Sequence, residues 1–235
     1  MLRDRYDNPI STSSTQARDL YVTAVDKLLE GAPRMVEAFE AVVAEDPDFA
    51  LGHAGLARAN QATGNVAKAR ETIARARALA TGITEREAGH INVFDLLANG
   101  RTADGLAAVV DHARSHPRDA MVVQTSTSIF GLIGFSGLPG REAEMLAFTS
   151  ALQPHYADDW WYLSQYAFAL CETGQVDKAS SIIDRSMASN PRNAHGAHVR
   201  SHIDYEAGET QVGVSYLNDW LKDYDRAAVM HGHLS

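Results

Sequence analysis

Glycine-centred turns recur along this chain with a single period. They stand at Thr63-Gly64-Asn65, Asn99-Gly100-Arg101, Ile133-Gly134-Phe135, Thr173-Gly174-Gln175 and Ala207-Gly208-Glu209, and the glycines are 36, 34, 40 and 34 residues apart. Prolines that open new segments fall between them at Pro47, Pro117, Pro154 and Pro191, at intervals of 70, 37 and 37. Two kinds of punctuation share one period, which leaves few folds open. Each interval is a unit too small to bury its own apolar face, so it must stack on its neighbours.

Between the marks the apolar spacing is helical. Val176, Ala179, Ile182, Ile183 and Met187 form one stripe at steps of three and four, as do Val66, Ala69, Ile73 and Ala76. Glycine suits a helix end that needs positive φ, and proline presets the entry to the next helix. The pattern predicts helices near 16–30, 33–45, 49–63, 66–80, 84–98, 102–115, 119–132, 140–152, 157–172, 176–188, 193–206, 210–222 and 225–235. No segment alternates like a strand, so the fold class is all-α. Residues 1–235 read as one helical-repeat domain, with units near 16–47, 48–83, 84–117, 118–154, 155–191 and 192–224 and an unpaired last helix, 225–235.

Small residues mark where paired helices approach: Ala57, Val93, Thr127, Ala167 and Ser201 stand seven before the turn glycines, and Ala69, Gly105, Ala179 and Gly213 five after. Such columns at a period near 34 resemble the tetratricopeptide repeat, whose antiparallel helix pairs stack into a right-handed superhelix. The stretches PISTSS (9–14), EDPDFALGHA (45–54), TEREAGHINVFDLLANG (84–100), HPRDAM (116–121) and NPRNAHGAHVRSHI (190–203) further resemble the tetratricopeptide repeat protein 38 family. Members of that family are typically longer, so the resemblance implies a C-terminal truncation or an intermolecular cover for the last helix. It implies an architecture without an activity.

Composition bounds the function classes. A net charge of −9 argues against a nucleic-acid-coating protein, and one cysteine, Cys171, excludes an intramolecular disulfide framework. Residues 1–15 lack the apolar core of a signal peptide, and no apolar run is long enough to span a membrane. The expectation is a cytoplasmic protein with no nucleic-acid or membrane partner.

Five of the ten histidines lie in the last 41 residues: His195, His198, His202, His231 and His233. Steps of three and four put the first three on one helical stripe. The repeat resemblance implies that their offsets face a concave groove. Applied to each unit, the same offsets collect Leu51, Ala54 and Arg58, Glu87, His90 and Phe94, Met121, Gln124 and Ser128, Trp161, Ser164 and Phe168, and His195, His198 and His202, while Tyr205 extends the last stripe. The contacts chosen from these are Arg58, His90, Phe94, Gln124, Trp161, Ser164, Phe168, His195, His198, His202 and Tyr205. With Arg58 the one cation here, a carboxylate-terminus clamp is disfavoured.

A metal is the sharper alternative, with His198 and His202 at i, i+4 and His231 or His233 as a third ligand. The HExxH glutamate is missing because Val199 follows His198, so neither a metal nor a cofactor is expected. GLIGFSGLPG (131–140) lacks P-loop chemistry and reads as an insertion in the third turn, with a lid at the groove edge as its functional reading. Cys171 reads as a packed residue, Asp158-Asp159 as a helix cap, and Lys68, Arg70, Arg75 and Arg77 as a solvated face. Arg200 and Asp204, at normally buried offsets, are expected either to pair at i, i+4 or to need a later helix absent from this chain.

The leading expectation is a non-catalytic groove binding a peptide or protein partner, with self-association through the uncovered C-terminal helix. Behind it stand a small-molecule pocket and, last, an enzyme built on His198 and His202.

Overall fold

The computed structural model describes residues 1–235, which divide into two compact units: 1–28 with 34–125, and 29–33 with 126–235. Helix α1 (Thr15–Glu30) contributes to both.

In the first unit α1 is followed by α2 (Met35–Glu45), α3 (Ala50–Ala62), α4 (Val66–Ala78), α5 (Glu85–Ala98), α6 (Thr102–Ser115) and α7 (Ala120–Val123). From α2 onward consecutive helices pack pairwise, and α3 also packs on α5, so first helices stack on first helices. The reason is the apolar stripe: Ala69, Ile73 and Ala76 of α4 are buried while Lys68 pairs with Glu71, Arg75 with Asp48 and Arg77 with Asp95 on its outer side. Tyr21 of α1 sets its ring edge-on to Phe39 at 6.1 Å and to Phe49 at 5.3 Å. Thr84 and Glu87 close a capping box at the start of α5.

The second unit contains α8 (Arg141–Tyr156), α9 (Trp160–Cys171), α10 (Val176–Ser189), α11 (Ala194–Glu206), α12 (Thr210–Trp220) and α13 (His231–Leu234). Helix α9 is buried from Trp161 to Cys171 because WWYLSQYAFALC is apolar nearly all round and packs against α8, α10 and α11. Asp159 caps it, accepting from the Tyr162 N–H at 3.0 Å. Burial pushes the Cys171 thiol up to about 12, as suits a packed residue.

Four of the five turn glycines do what the period requires. Gly64, Gly100, Gly174 and Gly208 have φ between +75° and +80°, a conformation costly to any residue with a Cβ. Gly134 differs. It opens a 3₁₀ turn (Gly134–Ser136), and a Cβ there would lie 2.0 Å from the Ile129 carbonyl oxygen. The positive φ values of the inserted loop belong to Gly137 and Gly140.

Four expectations need correction. Pro154 does not open a new segment but lies inside α8, which runs on to Tyr156. The helix expected over 119–132 stops at Val123 and passes through a 3₁₀ turn (Gln124–Ser126). The hydroxyl run after it competes for the backbone: Thr125 Oγ1 donates to the Val122 carbonyl at 2.7 Å. The unpaired helix expected over 225–235 is only the single turn α13, since Ala228 and Leu234 are the buried apolar anchors there and their spacing is not helical. Finally, the chain contains a short antiparallel pair, β1 (Leu2–Arg3) with β2 (Pro9–Ile10). Its turn is organised by Asp4, whose Oδ1 accepts from the Tyr6 and Asn8 N–H groups at 2.9 Å each.

Candidate functional site

In the first unit, residues 6–14 cross the loops that enter α3, α5 and α7. Arg118, just before α7, donates from Nε to the Tyr6 carbonyl at 2.7 Å, and its own carbonyl accepts from Asn8 Nδ2 at 3.1 Å. Arg86, in the first turn of α5, donates to the Pro9 carbonyl at 3.1 Å. Glu87 accepts from the Ser11 N–H at 2.8 Å and from the Ser11 hydroxyl. Farther along, Thr12 Oγ1 donates to Asp46 at 2.6 Å and Ser14 Oγ to Glu45 at 3.0 Å. Ile10 is fully buried and Tyr6 nearly so. Tyr6 and Asp7 belong to the turn between β1 and β2, and the segment that follows, 8–14, is read through its main chain and its hydroxyls.

Beneath it lies a buried charge cluster. Asp119, on the loop before α7, accepts from Arg86 Nη1 at 2.8 Å and stands 3.0 Å from His90 Nδ1 and from His112 Nε2. Burial pushes the Asp119 carboxyl up, but attraction to His90 and Arg86 and the hydrogen bonds of His112 and His90 outweigh it and hold it well below the usual carboxylate range. The other His90 ring contact is apolar, an edge-on approach to Phe94 at 4.6 Å, and its Nε2 is buried without a partner. Nearby, Asp4, Arg5, Tyr6, Tyr21 and Asp119 help line a cavity of about 10 Å³, room for one water.

The sequence-predicted groove residues divide between the units. In the first, His90 and Phe94 are buried, while the half-exposed Arg58 reaches Gln124 Oε1 at 3.4 Å and Gln61 at 3.2 Å. Burial lowers the Arg58 guanidinium to about 10. In the second unit Trp161, Ser164 and Phe168 are buried in α9, and the Ser164 hydroxyl is spent on the Trp161 carbonyl at 2.7 Å. These buried side chains offer a partner no surface. Tyr205 is exposed, and His195 and His202 are half-buried.

The clustered histidines do come together. His198 lies 4.5 Å from His202 and 4.7 Å from His233 between ring centroids, and Phe168 and Phe130 pack against it at 5.6 and 6.0 Å. Burial, then repulsion from His202, His233 and His195, lowers His198 to about 3. His202 is lowered by burial and by His233, and its Nδ1 stands 3.8 Å from Glu172. His231 instead stacks parallel to Tyr224 at 6.4 Å. No group of three or more His, Cys, Asp or Glu side chains is arranged to hold a metal ion. Arg200 pairs with Asp204 at 3.1 Å as expected, and also with Asp184.

The sequence reading missed Arg86, Arg118 and Asp119, and counted Glu87 only among the groove offsets. Their common signal was placement, since all flank the entrances of first helices.

No family profile matches the chain, and no curated protein matches it. Solved structures do. A tetratricopeptide repeat protein from Parabacteroides merdae ATCC 43184 is 11% identical over 94% of this chain and 86% of that one, with a TM-score of 0.53. PilW, a type IV pilus biogenesis factor, is 14% identical over 95% and 100%, with a TM-score of 0.50. The TPR protein YrrB is 12% identical over 84% and 98%, with a TM-score of 0.46. The chain has an all-α, TPR-like fold. At such identities the likeness extends to the fold alone, and the helix pairs described above are the TPR-like units. No helix in them is long and apolar enough to cross a membrane.

Proposed function

We propose that this protein is a non-catalytic interaction module whose helical-repeat surface binds an extended segment of a protein partner. One observation carries the reading: the first unit already holds such a segment, its own residues 8–14, with Arg86 and Glu87 bonded to its main-chain groups. Side chains aimed at a backbone are how a helical scaffold recognises a peptide with little demand on its sequence. The TPR-like fold supports the same reading, because stacked helix pairs present long rows of equivalent positions.

Within the predicted set, Arg58 and Gln124 of the first unit are the contacts we assign to this partner, since each keeps some exposed surface; His195, His202 and Tyr205 keep theirs in the second unit, a separate candidate surface. The likeness of residues 84–100 and 190–203 to the tetratricopeptide repeat protein 38 family supports placing the chain with it, and the single free cysteine suits a reducing compartment such as the cytoplasm. The one-water cavity of the first unit has no room for a metabolite.

Panning a random peptide library against the full chain tests this. Enriched peptides should bind the purified protein saturably, at least tenfold more weakly after Glu87→Gln or Arg58→Ala. A library that yields nothing above background overturns the reading.

A further inference from the structure

Residues 9–14 are held as a ligand is held. Glu87 reads Ser11 twice, through N–H and hydroxyl, and its position is fixed beforehand: Oε2 also accepts from the Thr84 N–H at 2.9 Å and hydroxyl at 2.8 Å. Arg86 is likewise fixed by Asp119 before it reaches the Pro9 carbonyl. Both reading groups are therefore set by their own unit and need not reorganise when a segment arrives. The row then offers only carboxylates to the hydroxyls that follow, Asp46 to Thr12 and Glu45 to Ser14. Three acids facing three hydroxyls favour an uncharged, hydroxyl-bearing segment and repel a phosphorylated or acidic one. Ile10, with no exposed surface, supplies the apolar anchor.

We propose that the loops entering α3, α5 and α7 form a recognition site for a partner's extended segment in which an aliphatic residue precedes Ser or Thr hydroxyls, and that residues 9–14 occupy this site in cis. The assignment rests on the interaction reading above and names the partner's chemistry. Because the occupant is tethered directly to α1, it competes at an effective concentration of about millimolar, which weakens an incoming segment in proportion. Binding in trans therefore requires displacement.

The test uses the full chain and a fluorescent peptide with the sequence of residues 8–14 and blocked ends. Ser11→Glu sets a carboxylate against Glu87 and loosens the cis segment. This variant should bind the peptide at least tenfold more tightly than the wild-type chain does, and Glu87→Gln added to it should remove that gain. The peptide phosphorylated at the serine matching Ser11 should not bind. In the wild-type chain, excess peptide should speed hydrogen exchange at the Ser11 amide, a measurement that needs no variant. Unchanged exchange, or equal binding with and without Glu87, overturns the proposal. A concentration-dependent dimer that exchanges residues 1–14 between copies overturns it too, by making a second copy the occupant. If library peptides of other chemistry bind through Arg86 and Glu87 while this one does not, the partner assignment fails and the interaction reading stands. If no peptide binds, both fall.

Discussion

The Nε2 atoms of His198 and His233 stand 3.0 Å apart, one ring donating and the other accepting. The accepting ring must keep its Nε2 lone pair, so a proton added at that atom would leave two donors facing each other. His202 and His195 on α11 face the same ring, Glu172 lies beyond His202, and Phe130 and Phe168 supply apolar walls. His198, about 3 when folded, is therefore below its unfolded value near 6.5. The unfolded chain binds more protons between those values, so the contribution is complete above pH 6.5 and is lost as pH falls towards 3.

The stability of the second unit should accordingly fall on the order of 1 kcal/mol per pH unit below the free-imidazole range. Urea unfolding at pH 7, 6 and 5 reads this slope, and His198→Phe should flatten it. Parallel profiles for the two proteins would contradict the assignment.

Asp119 predicts a loss in the first unit. Replacing it with Asn leaves Arg86 buried at 4% exposure without its counter-charge. Breaking a buried pair from one side costs about 3–5 kcal/mol. Denaturant unfolding should show a loss of that size. Because the Asp119 carboxyl is held low, its contribution is present above the ordinary carboxylate pKa and disappears as pH falls below it, under more acidic conditions than the His198 effect.

Gly134→Ala should destabilise the inserted loop, since the new Cβ meets backbone rather than a movable side chain. About 1–3 kcal/mol is the cost of such overpacking. Gly64→Ala meets no atom within 4 Å and loses only the positive-φ preference, about 1 kcal/mol. Thermal unfolding of the two variants compares strain with conformational preference directly.

Cys171 is 3% exposed and its thiol is pushed up to about 12. A thiol reagent at pH 8 should label it only on unfolding, at a rate that follows denaturant concentration. Rapid labelling of the native protein would refute the packed position.

Much of the helix pattern was legible because it is local. The expected segments 66–80 and 84–98 correspond to Val66–Ala78 and Glu85–Ala98, fixed by an apolar stripe, a cap and a turn glycine within one unit. The pattern failed at 124–132, where hydroxyls and a close backbone approach at Gly134 override helix propensity, and at 225–230, where too few apolar positions hold a face. Among the site residues, offsets counted from turn glycines placed His198 and His202 together, because four residues along a helix make one face. The same offsets could not tell which members would be covered. His90, Trp161 and Phe168 are buried by contacts from elsewhere in their units.

The sequence alone determined the period, the helix-pair unit and the alignment of histidines on α11, all of which depend on spacings within one unit. Only the tertiary structure decided that Ser11 meets Glu87 across 76 positions, that Asp119 gathers Arg86, His90 and His112, and that His233 closes on His198. Those relationships depend on how helix pairs stack inside each unit and where the connecting segments return. No short-range pattern encodes that return, because its energy comes from burial and hydrogen bonds made between residues far apart in the chain.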